Sequence, residues 1–146
     1  MWWGRRGIIH FELLNRNETV TADVYFQQLQ RVHQSLLEKR PALVNRKNVV
    51  LLHNNARPHT ARVTQGNFLE LGRSVLPHPP YSPDLAPSNY HLFRSLQNSL
   101  MGTNFSNEDQ VREFFENFFT SKAAKFYGKG IKELLDKWQQ IIANDG

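Results

Sequence analysis

The spacing of apolar residues divides the first third of the chain into a predicted hairpin and a predicted helix. Residues 2–7 and the apolar run 8–14 are typical of two strands joined by a turn that contains glycine, and the first strand is only about three residues long. Apolar residues then recur at helical spacing over 25–36. Thr21 is suited to begin that helix and Pro41 to end it.

Shorter apolar runs follow in the middle of the chain. The aliphatic run 49–52 predicts a strand that is buried on both faces, as in a parallel sheet. Residues 58–71 predict one helix, because proline is tolerated in a first turn and Gly72 is a suitable residue just beyond a helix end. A short strand is predicted at 74–76, where the following prolines end it.

The second half of the chain has helical periodicity. Ser88 is predicted to cap a helix whose leucines recur every four residues, and Ser106 with Asp109 resembles a capping box for the next helix. The last helix is predicted to bury one face over 131–142. Strands that alternate with helices, followed by a helical tail, indicate an α/β layered domain.

Composition narrows the class of protein. The 146 residues suffice for one domain, and the absence of cysteine excludes disulfides and thiolate zinc sites. No apolar run reaches the roughly 18 residues that a membrane span needs. A formal charge of +5 favours an anionic partner such as nucleic acid, although a well-solvated basic surface explains that charge equally well.

Two motifs at a fixed separation carry the most specific signal. The first is HNNARPH at residues 53–59, and the second is YSPDLAPSNYHLF at 81–93, so that 34 residues lie between Asn54 and Asn89. Both the motifs and their spacing closely resemble the catalytic domain of mariner-family DNA transposases. The resemblance extends over nearly the whole chain.

The resemblance implies an α/β fold of ribonuclease H type, a mixed sheet flanked by helices with a helical C-terminal tail. In this family three aspartates hold Mg²⁺ or Mn²⁺ for DNA cleavage and strand transfer, and Asn54 and Asn89 occupy the second and third of those positions. The strand with the first aspartate, which is central in the sheet, is expected to lie upstream of Met1, as is the helix-turn-helix DNA-binding region. Residues 1–146 are therefore expected to form a partial catalytic domain of marginal stability.

The two amides predict a loss of metal-dependent chemistry. Two-metal phosphoryl transfer needs converging carboxylates, because their negative charge offsets the dehydration of the cation. We therefore expect no useful Mg²⁺ or Mn²⁺ binding and no transposition. What remains by resemblance is a nuclear protein with residual nonspecific affinity for DNA, from a family whose members act as homodimers.

Several residues near the motifs have two interpretations. Arg57, Arg62 and Lys47 could contact DNA phosphates or could be solvated surface residues. Asp84 could replace a lost ligand, but a loop aspartate after proline more often bonds to the backbone. The remaining candidates are the histidines and aromatics, for which packing is favoured over metal binding or base stacking: His53, His59, His91, Phe114, Phe115, Phe118, Phe119 and Trp138.

Two further interpretations stay open at this point. The chain could be a domesticated nucleic-acid-binding or interaction module, such as the mariner-derived part of a protein fused to a histone methyltransferase. Alternatively, Asn54 and Asn89 could have been introduced into an otherwise active element. The sequence alone does not separate natural decay from engineering.

Overall fold

The computed structural model describes residues 1–46 and 49–144. Its contacts group into two compact units. The first unit comprises Met1–Trp2 and Ile9–Ser82, and the second comprises Trp3–Ile8 and the chain from Pro83 onward. The four described strands are β1 (Trp2–Gly4), β2 (Gly7–His10), β3 (Val50–Leu52) and β4 (Ser74–Leu76).

The strands form two separate sheets of two strands each. Strands β1 and β2 form the predicted hairpin, with its turn at Arg5 and Arg6. Strands β3 and β4 pair in parallel, in a register that places Leu51 beside Val75. The parallel pairing was expected, but burial of the run 49–52 on both faces is wrong. Val50 is 53% exposed, because β4 is the only strand in the described part of the chain that pairs with β3.

Helix α1 (Ala22–Lys39) begins at its predicted cap and supplies the centre of the first unit. The Thr21 hydroxyl accepts a hydrogen bond from the backbone N–H of Val24 at 3.2 Å. Pro41 ends α1 and starts the short helix α2 (Pro41–Val44). The buried side chains of Tyr25, Leu29 and Phe68 form the core of this unit, and three partly buried residues pack against them: Trp2, Leu51 and Val75.

The single helix predicted over 58–71 is divided into α3 (Arg57–Thr60) and α4 (Arg62–Glu70). Ala61 lies between them with an extended ψ of 146°. The Thr64 hydroxyl donates a hydrogen bond to the carbonyl of Pro58 at 2.6 Å. In a continuous helix that carbonyl would accept from the backbone N–H of Arg62. A hydrogen bond from a side chain thus takes the place of a helical backbone bond where α3 and α4 meet.

Helix α4 ends as the glycine predicts. Gly72 has a φ of +62°, and its N–H donates to the carbonyl of Leu69 at 3.1 Å. The N–H of Arg73 donates to the carbonyl of Phe68 at 2.9 Å. These two bonds define a Schellman motif, in which the left-handed residue favours glycine. The motif turns the chain directly into β4.

An aromatic stack fixes the loop that follows β3. The rings of His53 and His59 are stacked with centroids 4.8 Å apart and planes at 7°. Tyr25 of α1 lies against His59 at 4.3 Å, and its hydroxyl is hydrogen-bonded to Nδ1 of His53 at 3.2 Å. Phe68 of α4 contacts the edge of the stack, 5.4 Å from His53. Helices α1 and α4 therefore hold both ends of the first sequence motif.

Burial is the main cause that lowers the pKa of His53 to about 4, and the neighbouring His59 and His78 lower it further. Burial also lowers the pKa of His59, although its bond to the backbone of Asn54 acts in the opposite direction. The stacked imidazoles are consequently neutral near pH 7. This allows two rings to pack face to face without charge repulsion.

The second unit is helical. A 3-10 turn (Pro83–Leu85) precedes a π-helical segment (Ser88–Phe93), which continues into α5 (Arg94–Leu100). Helices α6 (Glu108–Ser121) and α7 (Ala124–Ala143) complete the described chain. Six buried side chains form the interior of this unit: Leu85, Leu92, Leu96, Phe118, Phe119 and Tyr127.

Two local predictions in the second unit are wrong, and the predicted buried face of α7 is confirmed only in part. Ser88 lies inside the π-helical segment and its side chain caps nothing. The cap of α6 is Asn107, whose side chain accepts from the N–H of Gln110 at 2.9 Å, so the start differs by one residue from the predicted box. On the predicted face of α7, Ile131, Leu134 and Trp138 are partly buried in line with the buried Tyr127, whereas Leu135 and Ile142 are 66% and 72% exposed.

Two glycines of the α4 region should respond oppositely to alanine. Gly72→Ala should lower the free energy of unfolding by about 1 kcal/mol, because a Cβ is strained at positive φ. Gly66→Ala, in the middle of α4 with open space at its Cβ position, should raise it by roughly 0.5 to 1 kcal/mol. Urea unfolding at neutral pH measures both, and an equal effect of the two substitutions would contradict the described end of α4.

The stability of the first unit should fall on acidification. The unfolded chain takes up a proton at His53 near pH 6.5, whereas the folded chain resists it down to a pKa of about 4. The contribution is therefore complete above about pH 6.5 and is lost as the pH falls toward 4. Because the ring is only half-buried, we expect a loss of up to about 1 kcal/mol between pH 7.5 and 5.5.

Urea unfolding at the two pH values, followed by tryptophan fluorescence, tests this expectation. A His53→Gln variant should show a smaller difference between the two pH values than the parent chain. Some pH dependence of the stability should remain in this variant, because burial also lowers the pKa of His59. A parent and a variant with identical pH dependence would contradict the role given to His53.

Candidate active site

Asn54 lies in the loop directly after β3, at the position that the sequence motif indicates. Its side chain is exposed, and Oδ1 accepts a hydrogen bond from the backbone N–H of Ala56 at 3.0 Å. This bond closes a local turn of the kind that asparagine and aspartate side chains form with the residue two positions later. The side-chain oxygen of Asn54 is therefore already bonded to its own loop.

Neighbouring side chains hold this loop from two sides. The Nδ2 group of Asn55 donates to the carbonyl of His78 at 2.7 Å, which ties the loop after β3 to the chain after β4. Nδ1 of His59 lies 3.2 Å from the carbonyl of Asn54 and must carry the proton, since a carbonyl only accepts. The backbone around Asn54 is thus positioned by bonds within the first unit.

Asn89 lies on the π-helical segment, in an exposed position of the second unit. Short π-helical segments are rare and occur frequently at functional sites. The side chains on either side of Asn89 are anchored: Nε1 of Trp3 donates to the Ser88 hydroxyl at 2.9 Å, and the Tyr90 hydroxyl donates to the carbonyl of Gly130 at 2.6 Å.

His91 extends this anchoring to α7. Its Nε2 donates to the carbonyl of Phe126 at 2.7 Å, and its ring lies so close to Gly130 that a Cβ there would overlap it. Burial is the main cause that raises the pKa of Tyr90 to about 12, and Glu133 adds to it, so its hydroxyl stays protonated as a donor. The backbone of α7 therefore sets the position of Asn89 within the second unit.

The donor chemistry at these positions does not fit a catalytic Mg²⁺ or Mn²⁺ ion. Both side chains are neutral amides, and the oxygen of Asn54 is already bonded to Ala56. Mg²⁺ is generally held through one or two carboxylates. In residues 1–46 and 49–144, no three His, Cys, Asp or Glu side chains are grouped so that they could hold a metal ion. Asp84 is exposed in the 3-10 turn.

The structure describes two of the three basic candidates. Arg57 begins α3 and Arg62 begins α4, and both side chains are exposed in the first unit. They lie on the segment that follows Asn54. Lys47, the third candidate, lies outside the residues that the structure describes.

Sequence reasoning missed the residues that position the two asparagines. Tyr25 was recognised as an apolar helix position, but its hydroxyl also bonds to His53. Nothing in the sequence around Gly130 indicates a contact beyond the low helix propensity of glycine, and only the structure reveals its close approach to His91. The histidines were visible as neighbours of both motifs. Their packing partners could not be found, because those partners are distant in sequence.

Comparison with characterised proteins identifies the origin of this arrangement. A family profile described as transposase (partial DDE domain) matches residues 1–46. The chain is 45% identical over its full length to the histone-lysine N-methyltransferase SETMAR of Homo sapiens, and it covers 21% of that protein. It is 42% identical, again over its full length, to the mariner Mos1 transposase of Drosophila mauritiana, of which it covers 43%. The chain thus spans less than half the length of either relative.

Solved structures agree with the sequence comparison. The Mos1 transposase catalytic domain with Raltegravir and Mg matches with a TM-score of 0.95 and 42% identity, over 99% of this chain and 73% of that one. A Mos1 paired-end complex with the left transposon end matches with a TM-score of 0.93, at 41% identity over 99% of this chain and 42% of the other. The predicted ribonuclease H-like α/β fold is confirmed by this likeness. The chain belongs to the mariner transposase family and corresponds to its catalytic domain.

Proposed function

We propose that this chain is a mariner transposase catalytic domain that has lost metal-dependent DNA cleavage and keeps a weak, sequence-independent affinity for DNA. The observation that carries the loss of cleavage is the bond from the Ala56 N–H to the amide oxygen of Asn54. An uncharged amide oxygen that already accepts a hydrogen bond does little to offset the dehydration of Mg²⁺. Asn89, the second such position, carries the same neutral group.

The proposal also covers what the relatives imply for the protein. A Mos1 structure contains a transposon end, which supports DNA as the partner of this chain. We place the domain boundaries at 1–146 as a partial catalytic domain, in a nuclear protein that acts as a homodimer if it follows its family. In the described residues, no helix has the length and apolar character needed to cross a membrane.

Residual DNA affinity rests on charge. The formal charge of +5 attracts phosphates, and Arg57 and Arg62 present exposed guanidinium groups beside the loop of Asn54. We expect these arginines to contact the phosphate backbone. Such contacts position DNA without reading its sequence.

A second candidate function is favoured by the likeness to SETMAR. That relative is 45% identical to this chain and is named as a histone-lysine N-methyltransferase, so a mariner-type domain exists there within a larger enzyme. In this alternative the chain is a domesticated nucleic-acid-binding or interaction module. The domesticated module would retain a single DNA sequence preference, whereas a decaying transposase domain would bind all sequences alike.

Metal binding should be absent at the two asparagines. Isothermal titration of Mg²⁺ into the chain should show no saturable site with a sub-millimolar dissociation constant, because no carboxylate is available at either position. Supercoiled plasmid incubated with the chain and Mn²⁺ should remain uncut. The Asn54→Ala/Asn89→Ala variant is the control and should behave identically. A sub-millimolar site that disappears in this variant would overturn the proposal.

DNA binding should be weak and strongly dependent on salt. Neutralising two phosphates contributes about −2 to the slope of log K against log salt concentration, so Arg57→Gln/Arg62→Gln should reduce the slope by about that amount. Fluorescence anisotropy with a labelled duplex measures this slope. The control Arg16→Gln/Arg112→Gln removes the same charge from other exposed positions and should leave the slope nearly unchanged. Salt-insensitive binding, or equal effects of the two variants, would argue against the proposed surface.

A further inference from the structure

The first unit contains a cavity of about 420 Å³ beside the loop of Asn54. It is lined by residues of α4 and β4 and by the loops that follow β3 and β4. Cavities of this size accommodate small organic ligands. Its apolar side includes Phe68, Leu69 and Val75, and its polar side includes Gln65, Arg73 and His78.

Charge in this cavity is unbalanced. Arg73 is the only lining residue with a permanent charge, and no carboxylate lines the cavity within the described residues. The Nη2 atom of Arg73 is buried and has no hydrogen-bond partner among the residues that the structure describes. A guanidinium with an unpaired N–H and no carboxylate among the cavity residues favours an acidic group in the cavity.

The position of Arg73 is fixed before any ligand arrives. Its backbone N–H closes the Schellman motif at the end of α4, and the next residue begins β4. The backbone of Arg73 is therefore held at the junction of α4 and β4. The planar fork of donors that a guanidinium presents suits a carboxylate or phosphate group.

The apolar side of the cavity defines the rest of the ligand. Phe68 is buried and Val75 partly buried, whereas Leu69 is 82% exposed at the open side. An apolar or aromatic body resting on these side chains would cover Leu69 while its acidic group reached Arg73. We propose that this cavity binds a small aromatic anion, with its carboxylate or phosphate group on Arg73 and its ring against Phe68, Leu69 and Val75.

The experiment is an NMR titration of the ¹⁵N-labelled chain at pH 7.5 with three probes: benzoate, phenyl phosphate and inorganic phosphate. The two aromatic probes should cause saturable shifts confined to residues 53–60 and 65–78. Inorganic phosphate should bind at least several-fold more weakly, because it lacks the ring. A preference for phenyl phosphate over benzoate, or the reverse, identifies the acidic group that the cavity takes.

Two pairs of variants test the assignment. Arg73→Gln should weaken the aromatic probes about ten-fold or more, as expected for loss of a charged hydrogen bond, while Arg16→Gln removes the same charge from the surface and should change affinity less than about two-fold. Leu69→Glu places a negative charge beside the cavity, where it repels an anionic probe, and should also weaken binding. Val63→Glu, at an exposed position of α4 that does not line the cavity, is its control.

The Leu69 and Val63 pair keeps the test decisive if Arg73→Gln fails to fold, because both side chains are exposed and their replacement leaves the core intact. Far-UV circular dichroism of each variant monitors folding. Equal losses in each variant and its control would mean general charge attraction and would overturn the proposal. Shifts that never saturate, or that lie outside the cavity, would overturn it as well.

Discussion

The contact of Tyr25 with two stacked imidazoles is the constraint on which the rest of the first unit depends. It joins α1 to the loop after β3, and Phe68 joins α4 to the same stack. Burial keeps His53 neutral, so that the rings can lie face to face. The loop with Asn54 takes its conformation from this stack, and the cavity beside it shares His53 and His59 as lining residues.

The same principle operates in the second unit with different groups. There, backbone carbonyls of α7 receive hydrogen bonds from Tyr90 and His91, which immediately follow Asn89. Both asparagines therefore sit on a scaffold that is held by neighbours rather than by the asparagines themselves. Such a scaffold does not depend on the charge at Asn54 and Asn89, because exposed side chains contribute little to packing.

Local signals in the sequence were sufficient where the structure is determined locally. The cap at Thr21, the glycine at position 72 and the bounds of β4 follow from backbone chemistry within a few residues. Prediction failed where distant partners decide the outcome. The Ser88 hydroxyl accepts a hydrogen bond from Trp3 instead of capping a helix, and Leu135 and Ile142 of the predicted apolar face of α7 are exposed.

The candidate site was predictable to a similar extent. The motifs and their spacing identified the family, because sequence motifs preserve ancestry directly, while the roles of Asn54 and Asn89 stay predictions. The bond from Ala56 to the Asn54 amide and the unpartnered nitrogen of Arg73 depend on side-chain orientation. Such orientations follow from packing between residues far apart in the chain, which periodicity and spacing do not encode.

We propose that Asn54 and Asn89 hold no divalent cation, and paramagnetic broadening by Mn²⁺ provides the sharpest test. Resonances of Asn54 and Asn89 can be compared with those of Asn98 and Asn117, which are exposed residues of the same type. We expect Asn54 and Asn89 to broaden no more than Asn98 and Asn117 at each Mn²⁺ concentration. Selective broadening of Asn54 and Asn89 at sub-millimolar Mn²⁺ would contradict it.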